Sequence, residues 1–494
     1  MTVHPDHLKR QVVSSIAWAS ATRMAGQMLN WVMTLVVIRF LSPADYGLMA
    51  LVTALTGFLQ ALTSTGFADA LVQAREVDET VWRRTFGLIL TISAGLAALL
   101  CVAAYPLADL YDQPRLIALL QIASLSFLIM APAAVSRARL DRDLAFKHTA
   151  RVDMVANVLA GLVVLALAWR GFGVWALMAG MLAGMAITAA AMWWLAPFRR
   201  WPSFSLGGMR AILHFGAYRT AEHMAWYVST QIDIFMVGKL LGEHVLGVYS
   251  VSKTIAAMPV SKFGTIIKPI GSSAFARLQD DRARALSYLM KTIGVLSFLS
   301  FPLFFGMAAV APELVEVVLG PHWTEATLPL GIVALGMAIV PPGLVLSPFL
   351  MALGHVRASF MNTMASLGIS AAAYAIGSLW GLLGVCVAGT LSYPLKHLIL
   401  VRRIAGVTEA TTLRLFAPML RPLICAVLMV LAVLAVRGLA GSGIGGAARL
   451  GLLVSAGAVV YAAAGLTLCR DILSDLLALV PRGASVASVL RLRV

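Results

Sequence analysis

Apolar runs of roughly 20 residues recur along the whole chain, separated by short polar or basic breaks. A helix of about that length crosses a hydrocarbon layer roughly 30 Å thick. The pattern predicts fourteen such spans, at roughly 14–38, 48–72, 85–106, 116–136, 151–169, 173–195, 212–238, 245–268, 287–310, 326–350, 358–379, 382–401, 415–436 and 449–468. Turn formers mark the breaks: Leu-Ser-Pro at 41–43, Asp-Gln-Pro at 112–114, then Pro197, Pro202, Pro312 and Pro321. The expected fold class is an all-α polytopic membrane protein. No break between spans is long enough to hold a soluble catalytic domain.

Composition agrees with the pattern. Of 494 residues, 60% are hydrophobic and 12% charged, against about 25% charged in ordinary soluble domains. Mean hydropathy is +0.88. The net charge of +16 changes the picture once it is mapped onto the breaks. Twenty-five of the 38 basic residues fall in alternate loops and at the two ends, from Lys9 and Arg10 to Arg491 and Arg493. The intervening loops hold six: Arg39, Arg115, Arg170, Lys239, Arg437 and Arg449. The positive-inside rule then places both termini in the cytoplasm and makes the number of spans even. Charge spent this way is not the clustered basic and aromatic stripe of a nucleic-acid binder. The first apolar run is too long for a cleavable signal peptide and carries Arg23 inside it.

Catalytic and cofactor chemistry is not expected. Cys101, Cys386, Cys425 and Cys469 form no CxxC pair, so neither a zinc site nor a disulfide framework is indicated. Neither GxxxxGK[ST] nor HExxH occurs. The GSGIGG string at 441–446 lies between two spans without a strand–turn–helix context and reads as a linker. Gly180-xxx-Gly184 and Gly377-xxx-Gly381 read as sites of close helix packing.

The chain repeats itself. VIRFLSPADYGL at 37–48 aligns with VGKLLGEHVLGV at 237–248, and Trp169-RGFGV aligns with Trp380-GLLGV. The first twelve spans therefore read as two six-helix units in parallel orientation, able to enclose a central cavity and to rock against each other. The expected division is an N-terminal lobe at 1–205, a second lobe at 206–405, and spans 13 and 14 with a cytoplasmic tail at 406–494.

Cations inside the spans are the candidate chemistry. Lys268, Lys396 and Arg421 fall near the cytoplasmic ends, where snorkelling accounts for them. Arg23, Arg219 and Lys253 sit deeper, where an ionised group costs at least about 2.5 kcal/mol and must face protein or water. Arg23, Gln27, Asn30 and Thr34 share one face of span 1. Arg219, Glu222, His223, Trp226, Thr230 and Asp233 share one face of span 7. Glu222 at i+3 is able simply to neutralise Arg219, and a polar cavity is the other reading of the same stripe. The expected substrate-binding set is Arg23, Gln27, Asn30, Gln60, Arg219, Glu222, His223, Tyr227 and Lys253, with Arg23, Arg219 and Lys253 for an anionic group, the arginine forks suiting phosphate, and Gln27, Asn30, Gln60 and Tyr227 as hydrogen-bonding groups. Glu222, His223 and Asp233 are candidate ion-coupling groups. The coupling energy itself is not written in the pattern.

VIRFLSPADYGLMAL, STGFADALVQ, WRGFGVWAL and LWGLLGVCVAG, together with fourteen spans, resemble the Wzx-type polysaccharide transporter flippases of the multidrug/oligosaccharidyl-lipid/polysaccharide superfamily. The resemblance implies a bacterial inner-membrane protein that moves undecaprenyl-diphosphate-linked oligosaccharide from the cytoplasmic to the periplasmic leaflet by alternating access around a cationic cavity. Its implied partners are that lipid-linked cargo, the bilayer, and polysaccharide polymerase and export proteins. Two alternatives belong to the same superfamily: a peptidoglycan lipid II flippase and a cation-coupled multidrug exporter. The exporter would call for an acid in span 1, and that span has none.

Overall fold

A computed structural model describes residues 26, 28–62, 78–143, 145–197, 200–205, 210–277, 281–408, 410–440 and 444–478. Every regular element among them is helical, and ten helices are long and apolar enough to cross a membrane. The chain divides into two compact units, Met1–Tyr227 and Val228–Val494.

The first unit contains α1 (Met28–Phe40), α2 (Pro43–Gln60), α3 (Glu79–Leu110), α4 (Arg115–Arg142), α5 (Phe146–Trp169) and α6 (Val174–Leu195). It also contains the first part of α7. Tight turns fold α3 onto α4 and α5 onto α6, and α4 packs on α6. The SPADYG string earns its place here. Pro43 takes the first turn of α2, where its missing N–H costs nothing. Ser42 and Asp45 form a reciprocal capping box. The other Asp45 oxygen accepts from the Val174 amide at 3.0 Å. One carboxylate therefore caps the N-termini of both α2 and α6. Gly173 makes this possible: its φ is +56°, and a Cβ there would meet Asp45 Oδ1 at 3.0 Å.

Close packing falls where small residues predict it. Gly180 and Gly184 lie against Val164 and Ala160 of α5. Gly377 does pack closely, but against Gly384, whereas Gly381 turns the chain at φ +67°. The exposed faces are as apolar as the buried ones, with Leu99, Val102, Val155 and Leu162 pointing outward from α3 and α5. Water would penalise such faces and acyl chains cover them. Trp169 and Trp194, at opposite ends of the α5–α6 hairpin, are largely exposed, as interfacial indoles are.

The two ends of the first unit differ in charge. At one end Arg137 makes a two-pronged bond to Asp153, Arg200 pairs with Glu79, Arg83 donates to the Trp201 carbonyl, and Arg139 lies over the Trp82 ring. The turns at 111–114 and 170–173 form the other end.

Spans 7 and 8 form one helical run, Arg210–Arg277, broken only at Gly242, where φ is +81°. We label its limbs α7 (210–241) and α8 (243–277). In the second unit they join α9 (Arg282–Ala309), α14 (Val356–Ser378), α15 (Gly381–Thr408), α16 (Thr412–Leu439) and α17 (Gly446–Leu468). The expected span 326–350 is present within one membrane-length run, Pro321–Ala352, interrupted internally into α11 (Thr327–Met337), α12 (Val340–Gly343) and α13 (Leu346–Ala352). Adjacent Pro341 and Pro342 lack the amides that would continue α11. Residues 311–325, expected as an open loop, are wound into α10 (Ala311–Leu314), a π-helical turn at Val315–Leu319 and a 3₁₀ turn at Pro321–Ala326, with Trp323 buried.

Two features of this unit escaped the pattern. Glu313 is buried and receives the Arg437 guanidinium through Nε at 2.9 Å and Nη2 at 2.6 Å, with Arg449 3.5 Å away. This ties α10 to the facing ends of α16 and α17. After α17 comes α18 (Arg470–Ala478), too short and amphipathic to register as a span. Its Asp471 and Asp475 pair with Arg421 and Lys291, and Ile472 reaches toward Gly294 of α9.

Candidate functional site

The reversal at Gly242 sets α7 and α8 so that residues nine before and eleven after the break come to similar depth. At 1.5 Å per residue, Asp233 and Lys253 are about 14 and 17 Å from the break, near the middle of a 30 Å layer. They meet there. Lys253 Nζ is 2.5 Å from Asp233 Oδ2 and donates also to the Thr230 carbonyl at 3.3 Å. The Tyr249 hydroxyl, one turn before Lys253, donates to the same Oδ2 at 2.7 Å. The Tyr374 hydroxyl of α14 lies 3.3 Å from that of Tyr249, with the rings edge to face.

A second lysine completes the cluster. Lys396 of α15 donates to Ser370 Oγ at 3.1 Å, and its ammonium sits 4.4 Å from the centre of the Tyr393 ring. Ser370 is one turn from Tyr374 on α14, which brings Lys396 into electrostatic range of both Asp233 and Lys253. Asp233 is nearly inaccessible, at 3% side-chain exposure, whereas Lys253 retains 22%. Asp233 Oδ1 is buried without a hydrogen-bond partner. One ammonium group is thus paired with the carboxylate, a second lies within its electrostatic reach, and one oxygen of that carboxylate is unengaged.

The other expected residues distribute as follows. Arg23 and Gln27 lie outside the described residues. Asn30 is exposed on α1, where its carbonyl accepts from Thr34. Gln60 is at the end of α2 and donates to Ser126 Oγ of α4 at 3.4 Å. At Arg219, Glu222 and His223 the structure describes the α7 backbone, which is helical through Trp226, Thr230 and Asp233, so the expected stripe is one helix face. Tyr227 has its hydroxyl on the carbonyls of Thr53 and Ala54 of α2, each at 3.2 Å, and its ring over Gly57. It is engaged in packing.

Lys396, Tyr249, Tyr374 and Ser370 were missed by the pattern. By its position in the sequence Lys396 is expected to snorkel, yet it bonds within the protein. The signal was present as spacing: Ser370 and Tyr374 at i,i+4 on one helix, and Tyr393 and Lys396 at i,i+3 on the next. No group of three or more His, Cys, Asp or Glu able to hold a metal occurs among the described residues.

A polar, predominantly cationic cluster at mid-depth of an all-helical membrane fold is the setting in which similarity to known proteins becomes informative. Residues 36–328 match the family described as "Polysaccharide biosynthesis protein". This chain belongs to that family. Among its relatives, the succinoglycan biosynthesis transport protein ExoT of Rhizobium meliloti (strain 1021) is 26% identical over 75% of each chain. The lipopolysaccharide biosynthesis protein WzxC of Escherichia coli (strain K12) is 24% identical over 79% of this chain and 80% of its own. The teichuronic acid biosynthesis protein TuaB of Bacillus subtilis (strain 168) is 24% identical over 66% of this chain and 68% of its own. In fold, this polysaccharide biosynthesis protein is similar to the lipid II flippase MurJ in an inward closed conformation, with a TM-score of 0.75 at 13% identity over 92% of this chain and 99% of that one. It is also similar to an inward-facing MATE-family multidrug transporter of the MOP superfamily, with a TM-score of 0.60 at 16% identity over 78% and 96%. The chain thus has a MurJ/MATE-like polytopic fold and relatives named for polysaccharide biosynthesis, one of them as a transport protein.

Proposed function

We propose that this protein is a flippase that carries undecaprenyl-diphosphate-linked oligosaccharide repeat units from the cytoplasmic to the periplasmic leaflet of the bacterial inner membrane. It acts by alternating access and catalyses no covalent step. Fourteen spans with both termini cytoplasmic are the topology that goes with this reading, since the basic loops gather at one end of the helices. The observation that carries the reading is the two-lysine, one-aspartate cluster at mid-membrane depth in a family of polysaccharide biosynthesis proteins. A surplus of buried positive charge is stabilised by an anionic cargo and opposed by a cationic drug. Arg23 and Arg219, the other deep cations in the sequence, are further candidates, their forks suited to a diphosphate. A lipid II flippase shares the fold with this chain at 13% identity, but the sequence relatives favour a polysaccharide cargo. Polymerase and export proteins are the expected downstream partners, because a flipped unit must be consumed to keep transport directional.

Deleting the gene should leave lipid-linked repeat units on the cytoplasmic side and stop polymer export. Arg219→Ala and Lys253→Met should reproduce that loss with protein still present in the membrane. Normal export from both variants would overturn the site, and normal export from the deletion strain would overturn the function.

A further inference from the structure

The arrangement around Asp233 is more specific than a buried ion pair placed for stability. A pair of that kind is favourable when every lone pair and proton is satisfied. Here both stabilising donors, Lys253 Nζ and the Tyr249 hydroxyl, converge on Oδ2, while Oδ1 has no partner. Among the described residues, the second cation, Lys396, is held by Ser370 and the face of Tyr393. Neither contact supplies negative charge. The cluster therefore carries two positive groups and one negative group. Its anionic component is the one sealed from solvent, while Lys253 is reachable from outside.

We infer that Asp233 is an internal counter-ion that occupies a two-lysine anion site, Lys253 and Lys396, until an incoming phosphate-type anion displaces it. The inference rests on the flippase reading and names the part of the second unit that would take the charged group. Its logic is electrostatic. An empty site with two uncompensated ammonium groups at mid-depth would be prohibitively costly. Asp233 neutralises one of them while the site is empty. A diphosphate diester brings two charges, enough for both lysines, so Asp233 is no longer needed when the site is loaded. Tyr249 and Tyr374 then remain as hydrogen-bond partners for the released carboxylate. The arrangement also favours release: each departing anion is replaced at once by a carboxylate already in place, so the exchange never passes through a bare cation pair. Among the described residues, the charged and titratable groups around Asp233 are Lys253 and Tyr249 from α8, Tyr374 from α14, and Tyr393 and Lys396 from α15.

The experiment uses the full chain in lipid nanodiscs and measures binding of a farnesyl methyl diphosphate diester, whose two charges do not titrate near neutrality. Asp233→Asn removes the internal competitor and should bind the probe at least tenfold tighter than the unaltered protein. Lys396→Met lies outside the ion pair and keeps the test decisive if Asp233→Asn fails to fold; it should bind at least tenfold more weakly. Unchanged or weaker binding by Asp233→Asn, or unchanged binding by Lys396→Met, overturns the inference. Nanodiscs of phosphatidylcholine and of phosphatidylglycerol distinguish two sources of the same chemistry. Competition from phosphatidylglycerol identifies a lipid headgroup as an occupant, and its absence identifies the diphosphate. Polymer export by the deletion strain is read separately. Lost export in that strain together with no tightening in Asp233→Asn would leave the flippase reading standing and remove this mechanism.

Discussion

Asp45 shows how much one side chain can organise. Its two oxygens satisfy the N-termini of two helices far apart in sequence, and a Cβ on Gly173 would crowd it. An N-terminal cap contributes about 1 kcal/mol, so Asp45→Ala should cost about 2 kcal/mol. The loss would be read as a lower unfolding temperature in detergent, with Asp45→Asn intermediate. The strings that carried the family resemblance, SPADYG and RGFGV, are the two sides of this contact. They were visible because capping and positive φ restrict residue choice. The cysteines lie at the opposite extreme. Burial pushes the Cys469 thiol up to about 12, and its Sγ lies 3.8 Å from that of buried Cys425. Reactivity belongs to the thiolate, so native protein at pH 7.5 should leave Cys469 unalkylated by iodoacetamide, with labelling only after denaturation. Asp233 and Lys253 were each singled out from the sequence, but in different roles. Their pairing was hidden because it depends on the reversal at Gly242, and nothing local announces a contact between residues 20 positions apart.

At the scale of elements, hydropathy located nearly every helix, since each span must present apolar surface to lipid over its whole length. It misjudged continuity. The break at Gly242 needs no loop, and Pro341-Pro342 interrupts an apolar run without changing its hydropathy. It also passed over α18, which meets α9 through ion pairs and Ile472 instead of spanning. Helix contacts are governed by small residues. A Cβ at Gly57 would fall 2.1 Å from the Tyr227 hydroxyl. Gly57→Ala should therefore expel the tyrosine from its carbonyl partners on α2 and lower stability by about 1–3 kcal/mol. Gly57→Ala/Tyr227→Leu should recover part of that in the same thermal scan. The charge asymmetry between helix ends makes a separate prediction. Alkaline phosphatase fused after Gly171 should be active in the periplasm, and fused after Arg200 it should be inactive. The reverse pattern would invert the topology.

For the whole molecule, a net charge of +16 does not by itself mark an anionic partner. Most of it falls in alternate loops, where the positive-inside rule accounts for it, and only a handful of cations lie within the spans. Lys253 pairs with Asp233 and Lys396 is held by Ser370 nearby, while Arg437 and Arg449 share Glu313 at another point of the second unit. The two clusters differ in use. Glu313 is bonded through both oxygens and ties three elements together, whereas Asp233 has an oxygen to spare. Fold class and family were legible because they follow from periodicity and a few constrained turns. The composition of the charged cluster was not, because it is assembled from α7, α8, α14 and α15. Movement of a lipid-linked diphosphate between leaflets is the activity proposed for this protein. It is tested most directly in sealed proteoliposomes containing fluorescent undecaprenyl-diphosphate sugar in both leaflets, with a membrane-impermeant reductant added outside. Only the outer-leaflet half should be quenched in protein-free vesicles. With the protein present nearly all the fluorescence should be lost, and Lys253→Met should return it to half. Quenching that stops at half with the unaltered protein would contradict the account.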